Sequence, residues 1–164
     1  MRPIQPSAED LPRSYRSLQL PWSILLLLGT ALTIVGWVDI ALLWWPLSLG
    51  NVEWEFGTIS ATFDGLPLGT IGLSLAGAAA LGGRRFGIAR AAGIAMLVVA
   101  FGLIAIYLLY LLTLAPAWRG TPEAVQPSLL KAAIKTTIFA ITYVTAFAWI
   151  GLYLIRARRR RGYT

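Results

Sequence analysis

Four long runs of uncharged and mostly apolar residues constrain this chain more than any other feature of its sequence. They cover residues 18–38, 65–83, 91–118 and 136–155. Each is close to the roughly 20 residues that an α-helix needs to cross the hydrocarbon core of a bilayer. A transmembrane β-barrel would instead show short segments that alternate apolar and polar residues, and the run SILLLLGTALTIVGWV does not alternate. The sequence therefore predicts an all-α integral membrane protein with four transmembrane helices, at about residues 22–46, 65–83, 89–115 and 128–156.

The rest of the chain is short and polar. The residues are 57% hydrophobic and 13% charged, whereas a soluble domain has roughly 25% charged residues. The first apolar run continues through GWVDIALLWWPL, which is too long for the core of a secretory signal peptide, so we interpret it as a retained anchor. We expect a polar arm at 1–20, a four-helix bundle at 21–157 and a basic tail at 158–164.

The basic residues indicate how the bundle is oriented. Eleven of the 14 precede helix 1, lie between helices 2 and 3, or follow helix 4. Lys and Arg near the ends of membrane helices are retained on the cytoplasmic side. Both termini are therefore expected in the cytoplasm, and the abundance of Arg, Ala and Gly favours a multi-pass protein of a bacterial inner membrane.

The tail RARRRRGYT carries much of the net charge of +7. Because it leaves helix 4 directly at the predicted inner surface, we expect its arginines to contact the headgroups of the anionic inner leaflet, at about 1 kcal/mol each. This placement favours membrane lipids as partners, and no nucleic acid is expected. The predicted lipid-headgroup contacts are Arg158, Arg159, Arg160 and Arg161.

The chain contains neither Cys nor His. It therefore lacks a thiolate nucleophile, an imidazole base and the usual protein ligands of zinc and haem. No catalytic residue, metal site or cofactor is expected, and the chain is predicted not to be an enzyme.

A polar insertion, NVEWEFGTISATFD, lies between helices 1 and 2. Asn51 can cap a helix, and apolar residues at 56, 59 and 63 would share one face of it. Pro67 suggests a break before helix 2, so the expected result is a short interfacial helix at 51–64. An extended segment is the alternative, since VEWEF alternates. The two glutamates of this segment would lie about 200° apart on a helix, which is poor geometry for an acid–base pair. The predicted partner-docking surface is Glu53, Trp54, Glu55, Phe56 and Phe63.

Asp39 is a carboxylate inside predicted helix 1. Charges inside membrane helices are costly, and they usually face the bundle interior with a partner. Counted at 1.5 Å per residue from the helix ends, Lys135 of helix 4 and Tyr110 of helix 3 lie at about the same depth in the membrane as Asp39. We therefore expect Lys135 to be that partner and Tyr110 to donate a hydrogen bond. We expect a buried structural pair; a ligand or ion site, or separate snorkelling of both side chains to the surface, are the alternatives.

Helix 2 is rich in small residues, with pairs four apart at Gly72 and Ala76 and at Ala78 and Gly82. Small residues at this spacing let helix backbones approach closely in lipid. Helix 2 is therefore expected to pack tightly inside the bundle.

The stretch WEFGTISATFDGLPLGTIGLSLAG, residues 54–76 approximately, resembles small four-helix bacterial membrane proteins that include the HpsJ-like proteins associated with polysaccharide export in cyanobacteria. Trp54, Pro67, Gly72 and Leu73 are the most specific points of the resemblance. It carries no catalytic residue. It implies a four-helix topology and an accessory role.

These observations favour a non-enzymatic accessory or assembly subunit of a larger membrane complex, bioenergetic or envelope-building, in contact with other membrane-protein subunits. The alternative is a small oligomeric transporter, channel or membrane sensor that uses Asp39 and Lys135. Four helices form a poor alternating-access device unless they oligomerise, so we prefer the accessory subunit.

Overall fold

A computed structural model describes residues 13–157 of the chain, and the side chains of residues 21–157. Four helices follow one another: α1 (Arg13–Leu43), α2 (Val52–Gly82), α3 (Phe86–Gly120) and α4 (Gln126–Arg156). All four are long and apolar enough to cross a membrane, and the described part of the chain contains no strand. The prediction of an all-α fold with four helices long and apolar enough to span a membrane is therefore confirmed, and such helices are typical of a multi-pass membrane protein. The predicted arm up to residue 12 and the tail at 158–164 lie outside the described residues.

The helix ends follow local signals in the sequence. The side chain of Asn51 accepts a hydrogen bond from the Trp54 amide at 3.1 Å, so Asn51 caps α2 as predicted. Arg84, at φ 57°, makes the tight turn between α2 and α3 together with Gly83. Pro127 lies in the first turn of α4, where its missing amide hydrogen leaves no hydrogen bond unmade.

Helix α2 is the centre of the bundle. It packs against α1, α3 and α4, whereas α1 packs principally against α2 alone. The closest approach is between α1 and α2, where a Cβ atom added at Gly36 would lie 2.5 Å from the amide nitrogen of Gly69. Gly72 and Ala76 also contact the α1 backbone, at Gly29. The predicted tight packing of helix 2 through its small residues is confirmed at these positions.

The expected break before helix 2 is wrong. Residues 52–82 form one continuous helix with Pro67 inside it. The reason is tertiary packing: Ile59, Phe63 and Leu66 are completely buried, and their face continues without interruption into Gly69 and the small residues beyond. A single buried stripe along both halves holds them in one helix, although proline removes one backbone hydrogen bond.

The four helices do not end at the same level where α1 finishes. Trp22 packs on Gly82 at one end of the α1–α2 pair, and the Trp44 indole donates to the Thr62 hydroxyl at the other, at 2.9 Å. Residues 52–61 of α2 therefore extend past the end of α1, by about 15 Å at 1.5 Å per residue. The C-terminal part of α3 and the N-terminal part of α4 accompany them, since Phe56 stacks on Tyr110 of α3 and Ser60 shares a hydrogen bond with Thr136 of α4. We call this part of the bundle the three-helix extension.

Candidate functional site

One ion pair joins two helices of the bundle. Lys135 Nζ lies 2.8 Å from Asp64 Oδ2, and the ammonium lies 5.5 Å from the centre of the Phe139 ring. The two side chains are 52% and 44% exposed, so the pair lies on the outside of the bundle and not in its core.

The predicted pairing of Asp39 with Lys135 is therefore wrong. Lys135 lies in the N-terminal half of α4, as its predicted depth requires, but α1 packs on α2, and it is α2 that packs beside α4. Asp64 lies in α2, and it is closer to the Lys135 ammonium than any other carboxylate of the described residues. The predicted interfacial helix at 51–64 placed Asp64 outside the transmembrane bundle, so Asp64 was not expected to pair with Lys135.

Asp39 is exposed and forms no ion pair or hydrogen bond within the described residues. It lies beside α2, because a Cβ atom on Gly65 would be 3.7 Å from Asp39 Oδ2. Asp39 of α1, Asp64 of α2 and Lys135 of α4 thus carry three charges at neighbouring places on the surface of the bundle, with a net charge of −1.

These charges flank an uncovered line of α2, which we call the α2 stripe. Its residues are exposed, whereas the other residues of α2 are buried or half-buried apart from Glu53, Pro67 and Gly82. They recur at intervals of seven, four, three and seven residues, which is one face of an α-helix. Since Asp64 of this line reaches α4 and Gly65 adjoins α1, the stripe runs along the opening between α1 and α4. Its members are Gly57, Asp64, Leu68, Ile71 and Ala78.

The core beneath the charges contains a cluster of hydroxyl groups. Ser60 and Thr136 share a hydrogen bond of 3.0 Å, and the Tyr107 hydroxyl donates to Thr137 at 3.2 Å. Tyr110 is completely buried, and its hydroxyl makes no hydrogen bond in the structure. Because it faces the core, Tyr110 does not donate to Asp39 or Lys135, so this part of the predicted polar cluster is also wrong.

The residues predicted as a docking surface before helix 2 mostly face inward. Phe63 is fully buried and lies edge-on to Tyr107, while Trp54 lies edge-on to Trp44. Glu55 is also buried, and its Oε1 accepts the Gly50 amide at 2.7 Å. Of the five predicted residues, Glu53 is exposed and Phe56 stacks on a core tyrosine. The set is not a surface because the segment belongs to α2 and shares its buried face.

The described part of the site contains charged and hydrogen-bonding side chains but no cluster of metal ligands. Across residues 13–157, no three His, Cys, Asp or Glu residues lie together as metal ligands would. The carboxylates of Asp39 and Asp64 and the ammonium of Lys135 are suited to binding a complementary charged or polar group at the surface. The predicted headgroup contacts at 158–161 fall outside the described residues.

Comparison of this chain with protein-family models, with curated proteins and with solved structures found no match. The resemblance to HpsJ-like proteins is neither confirmed nor contradicted by this result, and it stays a prediction.

Proposed function

We propose that this protein is a non-enzymatic accessory or assembly subunit of a larger bacterial membrane complex, bioenergetic or envelope-building, and that a partner subunit lies along the α2 stripe and the three-helix extension. The observation that carries the proposal is that α1 ends at a different level from the other three helices. Helix α1 ends at Leu43, and the next residue bonds to Thr62, whereas α2 begins ten residues before Thr62, at Val52, and α3 continues to Gly120.

The end of α1 is level with Tyr107 of α3, because Trp44 bonds to Thr62 and the neighbouring Phe63 contacts Tyr107. If the membrane surface lies at this level, α3 projects about 16 Å further to Trp118. That projecting part carries exposed leucines, including Leu112 at 75% exposure. Exposed apolar surface of this kind on a soluble projection marks a contact with another protein.

If the membrane surface lies at Trp118 instead, the leucines are covered by lipid, but Asp64 and Lys135 then lie well inside the hydrocarbon. A charged side chain at the centre of a membrane helix costs about 2.5 to 3.5 kcal/mol or more. Pairing reduces this penalty only in part, since both side chains are about half exposed. Either placement leaves a surface that a partner helix would stabilise, and the net charge of −1 around Asp39 suits a partner with a basic residue.

The core favours this role over that of a transporter. The hydroxyl cluster lies in the outer half of the bundle, whereas Met96, Phe147 and Leu154 fill the core of the inner half and are almost completely buried. An apolar plug of this kind opposes a polar path across the bilayer. The alternative of a small oligomeric channel or sensor would have to place its pathway between copies of the chain.

Our topology proposal puts both termini in the cytoplasm. It rests on the eleven basic residues at the end of the bundle where both termini lie. The acidic residues of the described part all lie toward the opposite end. Single cysteines at Gly87 and Glu53 can be labelled without background because the chain has no cysteine. We expect an impermeant thiol reagent to label the cysteine at 53 and spare that at 87 in intact cells, and the reverse result would invert the topology.

The proposed function is tested by copurification after mild detergent extraction. Ile71→Trp places a bulky side chain on the α2 stripe, and Val98→Trp is the matched control on α3. The two positions are 58% and 66% exposed and lie at similar depth, since Gly77 and Gly93, six and five residues away, both pack on Leu154. We expect the wild type and Val98→Trp to copurify with the same fixed set of subunits and Ile71→Trp to lose them. A chain that purifies alone as a homo-oligomer would support the channel or sensor.

A further inference from the structure

The inner end of the bundle contains a cleft of about 670 Å³ between α2, α3 and α4. Its floor is formed by the C-terminal end of α2 and its sides by the first residue of α3 and the last turns of α4. Most of its lining is apolar or aromatic. The lining residues are Leu81, Gly82, Phe86, Trp149, Leu152, Tyr153, Arg156 and Ala157.

Arg156 is the one charged residue in this lining. It is exposed, and its guanidinium forms no ion pair or hydrogen bond within residues 13–157. The turn between α2 and α3 and the first turns of α3, at the same end of the bundle, carry Arg84, Arg85 and Arg90, while the carboxylates of the described chain belong to α1, the first half of α2 and the α3–α4 loop. The mouth of the cleft is therefore positive, and the part of the chain that the structure describes supplies no counter-ion to it.

A second groove at the same end, beside α1, differs in this respect. It is lined by Ser23, Leu26 and Arg85, among others. There Arg85 Nη2 donates to the Ser23 hydroxyl at 3.1 Å. Its guanidinium is thus partly engaged by the protein, whereas that of Arg156 is not.

We propose that the cleft binds one anionic phospholipid from the leaflet at this end of the bundle. The guanidinium of Arg156 holds the lipid phosphate, because an arginine fork matches phosphate oxygens in two parallel hydrogen bonds. The acyl chain lies against Trp149 and Leu152, and the rings of Phe86 and Tyr153 flank the boundary between headgroup and chain, where amphipathic rings are favoured. Basic pockets between membrane helices bind anionic headgroups in this manner.

The occupant is a lipid and not a free anion, because the cleft combines one unpaired cation with a predominantly apolar lining. Free phosphate would make no favourable contact with the apolar side chains of Trp149, which is 77% exposed, and Leu152. A phospholipid contacts both parts. This inference goes beyond the role as a subunit, since the cleft lies at the end of the bundle opposite the three-helix extension.

The test measures lipid retention by the purified full-length chain in a neutral detergent, using native mass spectrometry with dioleoyl phosphatidylglycerol and dioleoyl phosphatidylcholine. We expect one phosphatidylglycerol to bind more tightly than phosphatidylcholine. Arg156→Gln should weaken phosphatidylglycerol binding about fivefold, which corresponds to about 1 kcal/mol. Arg85→Gln removes the same charge at the same end of the bundle, but its guanidinium is bonded to Ser23 and does not line the cleft, so it should weaken the binding much less.

A second pair of variants tests the apolar wall without a change in charge. Leu152→Trp fills the cleft and should weaken retention of both lipids, whereas Ile141→Trp, on an exposed part of α4 away from the cleft, should not. Inorganic phosphate should not displace the lipid. Equal binding of the two lipids, equal losses in Arg156→Gln and Arg85→Gln, equal effects of the two tryptophans, or displacement by phosphate would each overturn the proposal.

Discussion

Replacement of Gly72 by alanine should separate α1 from α2. A Cβ atom at residue 72 would lie 2.8 Å from the Gly29 carbonyl oxygen, 2.8 Å from the Leu32 carbonyl carbon, and closer still to the Thr33 amide nitrogen. All three neighbours are backbone atoms, so no side chain can rotate away. Since packed carbon atoms prefer separations of about 3.5 to 4.0 Å, α1 must move by roughly 1 Å.

The magnitude follows from two opposing terms. Overpacking of a close contact costs about 1 to 3 kcal/mol, while alanine is favoured over glycine within a helix by about 1 kcal/mol. Gly102→Ala is the matched control, because it lies within α3 and a Cβ atom there has no neighbour within 4 Å. The helix preference is common to both variants, so the free energy of unfolding of Gly72→Ala should lie about 1 to 3 kcal/mol below that of Gly102→Ala.

The assay is unfolding by sodium dodecyl sulfate in mixed micelles, followed by tryptophan fluorescence. Trp22 and Trp37 of α1 lie against Gly82 and Gly69 of α2, so their emission reports on the separation of these two helices. Equal stability of Gly72→Ala and Gly102→Ala would show that α1 and α2 do not approach as closely as described, and would refute the reasoning.

Two further predictions use the same unfolding assay. In double-mutant cycles, the effects of Asp64→Asn and Lys135→Met on the free energy of unfolding should be coupled by about 0.2 to 1 kcal/mol or more. The effects of Asp39→Asn and Lys135→Met should instead be additive within about 0.5 kcal/mol. Coupling of the second pair alone would restore the Asp39–Lys135 contact. Tyr110→Phe should leave the stability unchanged or raise it, because it removes a buried hydroxyl that has no hydrogen bond. Thr136→Val should lower the stability by about 1 kcal/mol, because it removes the hydrogen bond to Ser60. Equal losses of stability in the two variants would contradict these hydrogen-bond assignments.

The number of helices could be predicted from the sequence because uncharged runs of membrane length have few other stable structures. The extent of α2 could not. Pro67 and the nearby Asp64 are ordinary signals of a helix end, and only the burial of Phe63 and Leu66 against other helices makes the two halves one. Burial against a distant segment leaves no local mark in the sequence.

The candidate site could be predicted only in part. The rise per residue placed Lys135 at a useful depth, but depth along one helix does not determine which neighbour it faces. The partner of Lys135 depended on α2, and not α1, packing beside α4. The inward orientation of Tyr110 was missed for the same reason. Asp64, Leu68 and Ile71 share one face if the segment is a single helix. That spacing would have placed Asp64 on the same helix surface as membrane-spanning residues.

We propose that another subunit lies along the α2 stripe in the membrane. A photo-crosslinking amino acid at residue 71, with residue 98 as the control, tests it directly in native membranes. We expect a crosslink to one different protein from residue 71 and lipid adducts alone from residue 98. A product of twice the mass of this chain from residue 71, or lipid adducts alone from both positions, would contradict the claim.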